Sequence, residues 1–178
     1  MVSPLLARSV PSVPIAPGVD MPLINLGGVH SHPSNYSAWL GLGGRGLDTA
    51  MMYGDDVQLR VGDALAASGL ERGQIFVTTK VPCCPDGGLS SWCRWFDSEY
   101  EDLAADVRME IDLRLLQLEY VDLMLLHWPC ATINDTVRTY RGLESFASAG
   151  RARTIGISNF NASAIEALYA AACGSSRP

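Results

Sequence analysis

Short runs of β-favouring apolar residues recur along this chain, and a segment with helical spacing follows each of them. Residues 22–29 are followed by a helix expected over 34–44, and Leu47-Asp48-Thr49 by one running from Asp55 to about Ser68 with Val57, Val61, Ala64 and Leu65 inward. The run 75–81, continuous and β-rich, reads as a strand covered on both faces. Residues 121–126 and 154–158 complete the series. Strand and helix alternating five times constrains the fold to a parallel sheet with right-handed crossovers.

In such a sheet the carboxyl ends of all strands lie on one face, where α/β folds put their chemistry. The residues at those ends are therefore the first candidates for function. Asp48 closes one strand and Tyr53 follows in the next loop; Lys80 ends the third strand; His127-Trp128-Pro129 follows the fourth. Each has an ordinary reading by itself. Asp48 could cap a helix, Tyr53 could pack, Lys80 could lie on the surface, and His127 could be a satisfied core residue. Ser158-Asn159 after the fifth strand could be turn chemistry. Together, at corresponding strand ends, a carboxylate, a phenol, an amine and an imidazole form an acid–base set. A phenol is a poor acid at neutral pH, and a neighbouring ammonium favours its ionised form. A partly dry ammonium needs a carboxylate partner in turn.

Asp48-Thr49-Ala50 followed by Tyr53-Gly54, then Thr79-Lys80, then Leu125-Leu126-His127-Trp128-Pro129, then Gly156-Ile157-Ser158-Asn159-Phe160 resemble the aldo-keto reductases, over roughly residues 20–172. The resemblance implies a TIM-type (β/α) barrel with a β-hairpin plugging its base, here the Pro-Gly turn within residues 13–21. It implies NAD(P)H-dependent reduction of an aldehyde or ketone to an alcohol, with Tyr53 as proton donor, Lys80 and Asp48 tuning it, and His127 orienting the substrate. It also implies cofactor contacts from Gly28, Val29, Asp48, Ser158 and Asn159, the cofactor being NADP with NAD left open. The alternative is a catalytically inactive remnant, or a regulatory or binding subunit of the same fold.

A complete (β/α)8 barrel takes about 250 residues, and this chain has 178. The expectation is a partial barrel of about five parallel βα units that stops partway round, over residues 13–173. Residues 1–12 are expected to be a flexible tail and 174–178 a disordered end. Open sheet edges in a partial barrel would invite self-association. Gly41-Leu42-Gly43-Gly44-Arg45-Gly46 satisfies the dinucleotide fingerprint, but it closes a helix and leads into a strand, the reverse of what phosphate binding needs. It reads as a helix stop.

A net charge of −6 without basic runs argues against nucleic acid and anionic membranes. No apolar run approaches the ~20 residues of a membrane helix. The five cysteines (Cys83, Cys84, Cys93, Cys130, Cys173) are odd in number and irregular in spacing. They read as reduced thiols of a cytoplasmic protein, with no metal site. The loop 82–97, with Trp92, Trp95 and Phe96, is expected either to wall a pocket for a small apolar carbonyl substrate or to pin itself to the body. Ser98-Glu99-Tyr100-Glu101 fits a capping box for a helix with Leu103, Val107, Ile111 and Leu115 as its apolar stripe. Its charged residues Asp102, Asp106, Arg108, Glu110, Asp112 and Arg114 are expected on a solvated face.

Overall fold

A computed structural model of the chain describes residues 10–28, 35–83 and 104–173. Two strands, β1 (Ser12–Ala16) and β2 (Val19–Pro22), form an antiparallel hairpin. The second sheet is parallel and five-stranded, with its strands in chain order: β3 (Asn25–Gly27), β4 (Gly46–Asp48), β5 (Phe76–Val81), β6 (Val121–Leu126) and β7 (Ala152–Ile157). The crossovers carry α1 (Tyr36–Gly41), α2 (Asp55–Ala67), α3 (Ala105–Leu115) and α4 (Ile133–Ser148); α5 (Ala162–Cys173) follows the last strand. The parallel sheet is the one expected from the strand–helix rhythm, and the whole is the partial (β/α) barrel that the family resemblance implies.

Strand β5 is buried along its whole length, as its continuous apolar run requires. Residues Val57, Val61, Ala64 and Leu65 of α2 pack inward as their spacing predicts. The G-x-G-x-x-G segment is a helix stop: α1 ends at Gly41, and Gly43 takes φ +98°, a left-handed conformation open to glycine.

At the amino-terminal ends of the strands, one buried carboxylate gathers several donors. Asp122 accepts from Arg72 Nη2 (2.7 Å), the Val77 amide (2.9 Å) and Arg153 Nη1 (2.8 Å). Arg153 reaches on to the Gly18 carbonyl (2.8 Å), which ties the hairpin turn to the sheet.

The apolar stripe and solvated face expected for the helix after residue 98 need correction. The capping box over 98–101 and Leu103 lie outside the described residues, and α3 starts from Ala104 with no side-chain cap. Its inward face is Met109, Leu113 and the following Leu116, all 1 % exposed or less, whereas Val107 is 43 % exposed. That rotation also takes Arg108 and Asp112 out of water. Arg108 Nη1 donates to the Pro82 carbonyl (2.9 Å), and Asp112 is held by Gln58 and Thr79. A helix turns its charged side inward when the neighbouring elements supply hydrogen bonds there. In α4 the cap is Thr132, whose Oγ1 accepts from the Asp135 amide (3.1 Å). In α5 Leu168 faces in, but Ile165 is 46 % exposed.

The Asp112 carboxyl is pushed up to about 7 from an ordinary 3.8 by burial, against the pull of its hydrogen bonds from Thr79 and Gln58. An acid that keeps its proton longer when folded gives its full stability below 3.8 and loses it as pH rises through about 7. Asp112→Asn removes that slope. Denaturant unfolding at about pH 5 and about pH 8 should therefore show the variant gaining on the parent at the higher pH; a gap independent of pH would contradict the assignment.

Candidate active site

Parallel pairing sets the ends of the central strands side by side. The backbone ladder runs one residue past each strand: Gly28 N donates to Asp48 O (3.0 Å), Thr49 N to Thr78 O (2.9 Å), His127 N to Val81 O (2.9 Å) and Ser158 N to Leu126 O (2.9 Å). Each residue singled out at a strand end is thus pinned to the neighbouring strand. Beyond Asp48 the chain makes a 3-10 turn, Met51–Tyr53, with Met51 and Met52 buried and Tyr53 half-buried at its end.

The centre of the cluster is Lys80. Its ammonium donates to Asp48 Oδ1 (2.5 Å) and to the Thr49 carbonyl (2.9 Å). Lys80 is only 6 % exposed, while 37 % of the Asp48 side chain still meets solvent. The pair is therefore half-dry: the amine is enclosed and the carboxylate keeps some hydration. Lys80 Nζ also lies 5.2 Å from the centre of the Tyr53 ring. His127 meets that ring edge-on, with centroids 5.9 Å apart at 77°. Asp48, Tyr53, Lys80 and His127 therefore gather at one rim.

Lys80 is the only lysine in the chain, against twelve arginines. Arginine stays charged in any protein setting, whereas a lysine amine responds to its surroundings. The single lysine stands at the one position where a compact, tunable cation faces a phenol.

His127 is 6 % exposed and packs on Trp128, ring centres 4.0 Å apart. Burial, with the nearby Lys80 charge adding to it, lowers its pKa to about 3. The imidazole is therefore neutral at physiological pH and carries one N–H donor. Its backbone carbonyl accepts from Asn159 Nδ2 (2.8 Å), and the same amide reaches Ser158 Oγ (3.2 Å). Asn159 sits at φ 59°, a left-handed conformation that asparagine tolerates. Its amide oxygen and the Ser158 hydroxyl hydrogen are left over from these bonds.

Gly28 is buried, and a Cβ there would meet the Tyr36 hydroxyl at 1.9 Å. Packing against Tyr36 accounts for glycine at this position. Val29 lies outside the described residues, as do Cys84, Cys93 and the aromatic residues of the loop 82–97.

Two things were missed in the sequence. Cys83 and Cys130 form a disulfide across a separation of 47 residues, so the expectation of five reduced thiols fails for this pair. Neither count nor spacing reveals two cysteines that only adjacent strand ends bring together. The bond ties the segment leaving β5 to the segment leaving β6, and closing a loop of that length is worth ~4 kcal/mol by chain entropy. The second is a polar set behind the rim, Thr49, Gln58, Thr79 and Asp112. Its one signal was Gln58 standing inside the apolar stripe of α2.

Comparison with known proteins gives a family match. The model of the Aldo/keto reductase family matches residues 35–175. Morphine 6-dehydrogenase of Pseudomonas putida is 34 % identical over 170 residues, 93 % of this chain and 52 % of that protein. Among solved structures, an aldo/keto reductase from Brucella melitensis superposes with a TM-score of 0.72 at 30 % identity, over 92 % of this chain and 58 % of that one. A Bombyx mori aldo-keto reductase in complex with NADP gives 0.70 at 25 % identity, over 96 % and 56 %. The chain spans about half the length of the curated relatives it matches.

A base whose pKa falls on folding gives full stability above its ordinary 6.5 and loses it as pH falls toward about 3. The His127 ring should show no titration in NMR spectra between about pH 5 and about pH 8. A midpoint near the ordinary value would mean the ring is solvated and the rim is not packed as described.

Proposed function

The chain belongs to the aldo/keto reductase family, and from that premise we propose that it carries out nicotinamide-dependent reduction of an aldehyde or ketone to an alcohol. The carrying observation is the enclosed Lys80 ammonium, held by Asp48 and facing the Tyr53 ring.

Reduction needs a hydride at the carbonyl carbon and a proton at its oxygen. When bound, the nicotinamide supplies the hydride, which no side chain can provide. The chain's own residues handle the oxygen. His127, neutral in its packed setting, offers an N–H that aims the carbonyl without adding charge. The Tyr53 hydroxyl gives its proton to the oxygen as hydride addition at the carbon shifts the C=O π pair onto that oxygen. The phenolate left behind sits beside the Lys80 cation, which lowers the cost of forming it. Asp48 keeps that amine charged and in place. Water then returns a proton to Tyr53.

The donor set at the fifth strand end suits a carboxamide. Such a group needs one donor and one acceptor, and these are what Ser158 and Asn159 have left. Asp48 and Gly28, both at this rim, are the remaining proposed contacts among the described residues, with Val29 proposed on the family resemblance alone. NADP is the proposed form of the cofactor, on the likeness to the NADP-bound Bombyx mori relative. The substrate is a small-molecule carbonyl compound. Among the described residues no helix is long and apolar enough to cross a membrane.

The test is NADPH oxidation driven by added aldehyde. Tyr53→Phe should lower kcat by ~10²–10⁴-fold, the usual worth of a positioned acid, with NADPH affinity little changed. Equal turnover in the variant would remove Tyr53 from the mechanism. NADPH binding with no aldehyde-driven oxidation in the parent chain would turn the reading toward a binding subunit.

A further inference from the structure

Behind the rim, four polar side chains are closed off from water. Thr49, Gln58, Thr79 and Asp112 are each 0 % exposed. They come from four elements: the turn after β4, α2, β5 and α3. The Thr49 hydroxyl donates to Gln58 Oε1. The Gln58 amide nitrogen donates to Asp112 Oδ1 and to Thr79 Oγ1 (3.2 Å). The Thr79 hydroxyl donates to Asp112 Oδ2 (2.6 Å). Both threonine hydroxyl hydrogens, both Gln58 amide hydrogens and both Asp112 oxygens are used, so the network is complete with Asp112 as a carboxylate.

Its place in the chain is the informative part. Side chains alternate across a strand, so Thr79 and Lys80 leave β5 on opposite faces. Thr49 stands next to Asp48 in the same way. Each half of the Asp48–Lys80 pair thus has a network member as its direct neighbour. The carbonyl of Thr49 is itself the second acceptor of the Lys80 ammonium. Gln58 touches both threonines at once and so fixes one strand end relative to the other. An apolar filling would occupy the same space at less desolvation cost, but it would not fix a direction.

We propose that Asp112, acting through Gln58 and Thr79, is a positioning residue for the Lys80 ammonium. It holds the Thr49 peptide and the β5 end so that the amine meets Asp48 and the Thr49 carbonyl together. The inference rests on the role given to Lys80 above.

The chain's single lysine makes a direct test available. In the full chain labelled with ¹⁵N-lysine, only one side-chain ammonium signal is present, and its proton exchange with water reports its hydrogen bonds. Thr79→Val keeps the shape of the side chain and removes its hydroxyl; Gln58→Leu does the same for the amide. Both should speed exchange at Lys80 Nζ by ~10-fold or more, the worth of a hydrogen bond to a charged group. Asp112→Asn, which still offers one acceptor and one donor, should stay near the parent rate. Leu113→Ala in the same helix should cost stability but leave the exchange rate alone. Parent-like exchange in Thr79→Val would overturn the proposal, and so would equal acceleration in Leu113→Ala. If Gln58→Leu does not fold, the other three variants still decide. No turnover is needed, so a failure here is distinct from a failure of the reductase reading.

Discussion

A lysine ammonium with almost no contact with water is the constraint from which this structure is best understood. An unpaired buried charge costs far more than any single packing contact returns. Lys80 is enclosed, so its partners must be in place whenever the chain is folded. One is a carboxylate on the neighbouring strand, and the other is the carbonyl of the next residue. Both arrive because β4 and β5 pair in parallel with Asp48 opposite Thr78, which brings the strand ends level. A shift of one residue in that register would turn Lys80 away from Asp48.

The sheet thus has two chemically different ends and two different sides. At the amino-terminal end Asp122 binds Arg72 and Arg153 and anchors the hairpin, which is structural work. At the carboxyl end Asp48, Tyr53, Lys80 and His127 gather, the set to which the proposed chemistry is assigned. Behind that end, the network of Gln58 and Asp112 occupies ground usually given to apolar side chains. Asp112 and His127 both titrate far from their ordinary ranges, in opposite directions for stability, because burial favours the neutral form of each. Their effects oppose each other over the mildly acidic range, so the pH dependence of the whole chain conceals both.

Much of this was legible in the sequence, and the reason is local. The run 75–81 has one plausible secondary structure, and Lys80 sits at its end whatever surrounds it. Asp48 and His127 follow from the same kind of argument. What stayed hidden depends on rotation and on contacts between distant segments. The sequence around α3 offers two competing apolar stripes, Leu103-Val107-Ile111-Leu115 and Met109-Leu113-Leu116. Apolar spacing favoured the first, whereas the hydrogen bonds waiting at Gln58, Thr79 and Pro82 belong to the second. The Cys83–Cys130 bond depends on the adjacency of β5 and β6, which no count of cysteines contains. The contact of the Tyr36 hydroxyl with the side-chain position of Gly28 likewise joins two segments that the sequence leaves unconnected.

The central claim is spatial: the amine of Lys80 lies against the ring of Tyr53, beside Asp48 and His127. Because the chain has a single lysine, nuclear Overhauser spectra of a lysine-labelled sample isolate its ε-methylene protons without ambiguity. Cross-peaks from those protons to the Tyr53 ring are the predicted result. Their absence, in a folded sample whose Lys80 signals still connect to Thr49, would place the phenol elsewhere and contradict the account.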